Sequence, residues 1–191
     1  EGAEDSVEEG RRELEATFGD RRGPMVVCGL SASGRTPFVL GALERAHELG
    51  LPTILVSTNA HDVVRAQAPY VDTLICPQVG PEPIAGSTRM KSGTAQKMVI
   101  NMITTGAMVR LGKTYGNVMV DLQLTNEKLR QRARRIVMTV AGVDEVTATD
   151  VLERSGGQVK TAIVMAAHEC SRADAEARLS AADGRLRPAM E

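Results

Sequence analysis

Two stretches of this 191-residue sequence carry residue types that can do chemistry. The first is Ser31-Ala32-Ser33-Gly34-Arg35-Thr36-Pro37, which interrupts an apolar run over residues 25–30. Small residues let a backbone approach a ligand closely, and Ser31, Ser33 and Thr36 offer hydroxyls. A helix starting at Pro37 would add free N–H groups at its positive dipole end, so Ser31, Ser33, Gly34, Arg35 and Thr36 form a candidate phosphate site. The pattern is not the dinucleotide fingerprint, has no P-loop lysine, and misses the second glycine of a nucleophile elbow. A serine-rich turn with no ligand is the alternative. The second stretch is Gly80-Pro81-Glu82 with Gly86-Ser87-Thr88-Arg89-Met90-Lys91-Ser92-Gly93-Thr94, followed by Gln96 and Lys97. Hydroxyls and cations between glycines suit a polyhydroxylated, anionic ligand, because each buried ligand hydroxyl needs a partner. Glu82, Ser87, Thr88 and Lys91 are its candidate contacts, with Arg35 and Lys91 neutralising an anionic group. A capped helix start with solvated cations is the alternative here.

The elements that must position these stretches follow from hydrophobic pattern. Short β-branched runs over 25–30, 53–57 and 72–76 predict buried strands. Between them, apolar periodicity predicts a helix from Pro37, with Thr36 as N-cap, to Gly50, and a short polar one over 61–67. This β-α-β-α-β alternation implies a parallel sheet with right-handed crossovers, covered by helices on both sides. Residues 79–93 read as a functional loop. Ala95, Met98, Val99, Met102, Ile103, Gly106 and Val109 repeat at helical spacing and predict a long buried helix ending near Gly112. A short apolar segment over 115–124 precedes a helix from Thr125-Asn126 to Val140, whose Arg130, Arg132, Arg134 and Arg135 read as a solvated face. Three short helical pieces, 147–154, 158–169 and 171–181, complete the chain. A boundary near Ala141 gives an α/β domain over 1–141 and a small helical segment over 142–191.

Composition narrows the possible functions. Lys plus Arg total 23 against 24 Asp plus Glu, for a net charge of −1, so no nucleic-acid or anionic-membrane footprint exists. With no Trp, two Phe and two Tyr, there is little on which bases could stack. No apolar run reaches the ~18 residues of a membrane span, and no secretory leader pattern is present, so the expected location is the cytoplasm. The three cysteines, Cys28, Cys76 and Cys170, have no metal or disulfide spacing and read as buried free thiols. His47, His61 and His168 lie far apart and do not read as metal ligands.

The Ser31–Pro37 loop, the block from Val79-Gly80-Pro81-Glu82 to Gln96-Lys97, and Gly112-Lys113-Thr114-Tyr115-Gly116-Asn117 through Thr125-Asn126-Glu127-Lys128-Leu129 resemble N-acetylmuramic acid 6-phosphate etherase nearly end to end. The resemblance implies a three-layer sugar-isomerase (SIS) phosphosugar-binding fold, a homodimer, and no metal or organic cofactor. It implies cleavage of the D-lactyl ether of N-acetylmuramate 6-phosphate to N-acetylglucosamine 6-phosphate and D-lactate. In that family one of two catalytic carboxylates is the second Glu of a Glu-Gly-Ala-Glu-Asp motif, which stands here as residues 1–5, so Glu4 is the catalytic candidate.

The resemblance also implies that the family's first strands, another Ser/Gly-rich loop and the second catalytic Glu precede Glu1. The fold is then incomplete at its N-terminus, the chain by itself is expected to be a poor enzyme, and Glu4 is exposed to terminal fraying. Two other functions share the fold: a phosphosugar-sensing binding protein resembling glucokinase regulatory protein, and an aldose–ketose isomerase.

Overall fold

The computed structural model of the chain describes residues 2–18 and 23–191. They fall into two compact units, divided between Met102 and Ile103. No helix among the described residues is long and apolar enough to cross a membrane.

In the first unit, α1 (Val7–Phe18) is followed by β1 (Val27–Leu30), α2 (Pro37–Glu48), β2 (Thr53–Val56), α3 (His61–Gln67) and β3 (Thr73–Ile75). The strands pair in parallel in the order β1-β2-β3, with Val27 opposite Thr53 and Ile54 opposite Thr73. Both crossovers step the same way across the sheet, so two right-handed connections bring α2 and α3 to one face. There Leu43 of α2, Leu55 of β2, and Val64 and Ala68 at α3 share a core. On the opposite face of β1, Val26, Cys28 and Leu30 are exposed. The predicted burial of all three thiols is thereby corrected. Cys28 lies on the open side of a strand, Cys76 and Cys170 are half-buried, and all are unpaired.

Helix α1 has no counterpart in the periodicity reading, although Ser6-Val7-Glu8-Glu9 carries the spacing of a capping box. Ser6 Oγ accepts the Glu9 N–H at 3.1 Å. The helix lies against α2 at two glycines: a Cβ on Gly10 would stand 2.0 Å from the Phe38 carbonyl oxygen, and one on Gly41 2.3 Å from the Val7 carbonyl oxygen. Charged side chains rim the crossing. Arg11 pairs with Glu44 (2.9 Å) and Glu48 (2.6 Å), and Arg45 with Glu15 (2.5 Å) and Glu48 (2.8 Å). Hydrogen bonds from Arg11 and then Arg45 hold the Glu48 carboxyl below its ordinary range.

Helix α4 (Lys91–Arg110) forms where its period predicts, and the division between the two units falls within it. Its burial differs from the expectation. Only Ser92 and Val99 are buried, while Met98 and Met102 are 52% and 62% exposed. A periodic stripe states which face of a helix is apolar and leaves open what covers it.

The second unit contains a hairpin, β4 (Thr114–Tyr115) and β5 (Val118–Met119), at the start of the segment over 115–124 read as merely apolar. Then come α5 (Glu127–Ala141), α6 (Glu145–Arg154), α7 (Val159–His168), α8 (Arg172–Ala181) and α9 (Leu186–Ala189). Side chains of Asn126, Asp144 and Ser171 cap α5, α6 and α8, and Gly142 ends α5 at φ 71°. Ala133, Ile136 and Val137 of α5 share a core with Leu152, Ile163 and Met165. Helix α5 therefore packs with the short helices that follow it.

Alanine in place of glycine ordinarily favours a helix by ~1 kcal/mol. Gly10→Ala and Gly41→Ala are expected to do the reverse, lowering stability by ~1–3 kcal/mol, because the new methyl group meets backbone across the crossing. Urea denaturation of both variants checks this; a gain in stability would mean the helices do not pack this closely.

Candidate functional site

Strand β1 ends at Leu30 and delivers Ser31, which is 4% exposed, into the loop before α2. Ser31 N–H donates to the Val56 carbonyl (3.1 Å) and its own carbonyl accepts from Gly34 (3.0 Å), so the loop turns back at once. Gly34 sits at φ 69°, where a Cβ would be 2.9 Å from Val64 and 3.1 Å from Ser57 Oγ. Both its backbone and its surroundings exclude larger residues. Thr36 is the N-cap of α2 and Pro37 its first residue, as predicted. The Thr36 hydroxyl makes no cap bond; it stands 2.8 Å from Ser31 Oγ instead. Ser33 Oγ accepts from the Arg35 N–H at 3.2 Å.

The end of β2 holds this loop from beneath. The Ala32 carbonyl oxygen lies 3.0 Å from the Thr58 N–H nitrogen, 3.1 Å from Ser57 Oγ and 3.1 Å from Thr58 Oγ1. Asn59 Nδ2 donates to the Ser33 carbonyl at 3.1 Å. With the carbonyls of residues 31–33 engaged, the acceptors that would repel an anion are occupied; the N–H groups of Gly34, Arg35 and Thr36 close onto Ser31 and Ser33, so the loop offers a ligand the N–H groups of Ala32 and Ser33 and its hydroxyls. Arg35 is exposed beside them, with no ion-pair partner among the described residues.

The pattern reading did not single out Ser57, Thr58 and Asn59. Their signal is a polar triplet directly after a buried strand, at the carboxyl end where parallel sheets place their ligand sites.

The second stretch is organised by Glu82. Its two carboxylate oxygens accept the N–H groups of Lys91 and Ser92, each at 3.0 Å, and so close the start of α4. These bonds, Ser92 first and then Lys91, hold the Glu82 carboxyl below its ordinary range. Lone pairs remain for a ligand hydroxyl, but the shown role of Glu82 is to anchor the loop. Ser87 is half-buried, and Thr88, Arg89 and Lys91 are exposed. No hydrogen bond joins Ser87, Thr88 or Lys91 directly to residues 31–36 among the described residues. The two stretches meet through Ser92, whose Oγ is 2.9 Å from Thr58 Oγ1.

Glu4 is also brought to this end of the unit. Its carbonyl accepts the Phe38 N–H at 3.1 Å, which fixes its backbone at the first turn of α2, two residues beyond Thr36. The side chain is exposed. The docking of α1 on α2 supplies the anchorage that terminal position alone would not.

An open hollow of about 970 Å³ lies in the second unit, lined by Asp121, Arg130, Arg134, Gly156, Gly157 and Lys160 among others. Arg134 is shared between Glu127 (3.4 Å) and Glu145 (3.5 Å), and Lys160 donates to the Gly184 carbonyl (2.8 Å). Two of its cations thus serve the fold, and none of the residues singled out as candidate contacts lines it.

Residues 116–160 match the family described as the C-terminal lid domain of glucokinase regulatory protein. Over its whole length the chain is 53% identical to an N-acetylmuramic acid 6-phosphate etherase of Salinibacter ruber and 48% identical to one of Alkaliphilus metalliredigens, covering 60% and 61% of those proteins. An N-acetylmuramic acid 6-phosphate etherase of Symbiobacterium thermophilum is 55% identical over 86% of the chain and 53% of its own length. The chain spans about 60% of the length of the first relatives it matches.

Because the folded-state pKa of Glu82 is depressed, its anchoring is fully present above the ordinary Glu value of ~4.3 and is lost as pH falls through the lower folded value. Hydrogen-exchange protection of the Lys91 and Ser92 amides is expected to disappear over that acid range. Glu82→Gln should reduce it even at neutral pH. Protection unchanged in Glu82→Gln would contradict the anchoring role.

Proposed function

We propose that this chain, a relative of the N-acetylmuramic acid 6-phosphate etherases along its whole length, carries the phosphosugar-binding face and one acid–base carboxylate of a lyase that releases D-lactate from N-acetylmuramate 6-phosphate. The observation that carries this reading is the loop at 31–36. Its Ala32 and Ser33 carbonyls are held down by Ser57, Thr58 and Asn59, and the N–H groups of Ala32 and Ser33 and the hydroxyls of Ser31, Ser33 and Thr36 are left ahead of α2. That arrangement suits a phosphate monoester, with Ser31, Ser33, Gly34 and Thr36 around the oxygens and Arg35 adding charge. Ser87, Thr88 and Lys91 face the sugar and its carboxylate-bearing ether, on a loop fastened by Glu82.

The chemistry is that of a carbon acid. In the open-chain aldehyde the C1 carbonyl acidifies the C2 proton. A carboxylate removes that proton, the C3–O bond breaks, and the departing lactate oxygen takes a proton from a general acid. Water then adds at C3 of the unsaturated aldehyde while a proton returns to C2, leaving N-acetylglucosamine 6-phosphate. Two carboxyl groups with different proton affinities serve these steps. Glu4 is proposed as one of them, because its backbone is bonded to the turn that follows the phosphate loop. Glu82 is unsuited to being the other, since two backbone N–H groups stabilise its ionised form. The proposed setting is the cytoplasm and the proposed working state a homodimer; the apolar residues exposed on α4 support a face that is covered in the assembled protein.

The match of residues 116–160 to a glucokinase regulatory protein domain favours a second reading, binding of a phosphosugar without conversion. Lactate separates the two. Incubation with N-acetylmuramate 6-phosphate, of the chain alone and of a polypeptide extended upstream to the length of its relatives, is expected to yield D-lactate from the extended form. There Glu4→Gln should lower kcat by ~100-fold or more while sugar-phosphate binding persists. Binding without lactate in both forms would favour the regulatory reading.

A further inference from the structure

We propose that Thr58 is a positioning residue that sets the separation between the phosphate-holding loop at 31–36 and the sugar-facing segment at 82–92. The inference rests on the reading of these two segments as one phosphosugar site.

Thr58 Oγ1 stands 3.1 Å from the Ala32 carbonyl oxygen and 2.9 Å from Ser92 Oγ. A threonine hydroxyl has one proton. Given to Ser92 Oγ, that proton leaves the Ala32 carbonyl with the Thr58 N–H and the Ser57 hydroxyl as donors. The Ala32 carbonyl is therefore satisfied without the Thr58 hydroxyl, which can hold Ser92. Ser92 is 3% exposed, and its N–H is held by the Glu82 carboxylate. One hydroxyl thus joins the floor of the first loop to the anchor of the second. Ser92 is buried and Thr58 half-buried, so water has limited access to the bond.

The connection has a property that ordinary stabilising contacts lack. Without the Thr58 hydroxyl, the 31–36 loop retains the Thr58 N–H bond at 3.0 Å, the Ser57 Oγ bond at 3.1 Å and the Asn59 bond to Ser33. Its shape toward a bare phosphate is therefore preserved. The relation between that loop and α4's first turn is what loosens. A ligand touching only the first loop does not sense this, whereas a ligand spanning both must restore the spacing at the expense of its own binding.

The test compares dissociation constants of two probes, N-acetylglucosamine 6-phosphate by calorimetry and inorganic phosphate by phosphorus NMR titration, on the full chain. Thr58→Val is expected to weaken the sugar phosphate by about tenfold and to leave inorganic phosphate within twofold, while Thr58→Ser restores the unaltered values. Ser92→Ala should reproduce the selective loss, and the double variant should be no worse than either single one. Ser92→Ala also serves if Thr58→Val fails to fold. Equal weakening of both probes would make Thr58 a general structural residue, and no weakening of either would mean that the bond carries no positional information; both overturn the proposal. If the unaltered chain does not bind the sugar phosphate, the reading of the site falls and the inference falls with it.

Discussion

The Ala32 carbonyl is the point on which the first unit's ligand face depends. A carbonyl directed into an anion site opposes any phosphate placed there. Here three donor atoms of Ser57 and Thr58 surround it, so that it is occupied within the fold. The donors come from the residues immediately after β2, so pairing of β2 with β1 places them beneath the loop without further adjustment. The conformation of the loop is thus a consequence of strand register, and Gly34 at φ 69° is the residue that permits it.

A second constraint is steric. At the crossing of α1 and α2 a methyl group would clash with backbone from either side, so the helices approach to a distance that only glycines allow. That approach delivers the Glu4 carbonyl to the Phe38 N–H. The ion pairs around the crossing are partly solvent-exposed and add orientation more than stability. Glycine packing and a backbone hydrogen bond therefore hold the proposed acid–base residue near the proposed phosphate site.

Most of the fold was legible because its signals are local. Short β-branched runs marked β1, β2 and β3, proline after Thr36 marked the start of α2, and Asn126 marked the start of α5. Helix α1 escaped a periodicity reading because its apolar face is thin and glycine occupies the contact. The hairpin at 114–119 escaped because each strand is two residues long. For α4 the pattern specified an apolar face but not its burial, since burial belongs to whatever neighbours the face meets. The same limit applied to Cys28, on the open side of an edge strand.

The sequence by itself determined the residue inventory of the site: the hydroxyls of Ser31, Ser33 and Thr36, the turn at Gly34, and the cation-bearing loop ahead of α4. It also carried the whole-length likeness to N-acetylmuramic acid 6-phosphate etherases. Only the tertiary structure decided that Glu82 caps α4, that Thr58 and Ser92 connect the two loops, and that Glu4 is fastened to α2. These roles depend on contacts between residues 9, 34 and 34 positions apart in the chain. Composition and periodicity describe each segment's own preferences, and a hydrogen bond between distant segments exists only once the sheet and helix packing have brought them together.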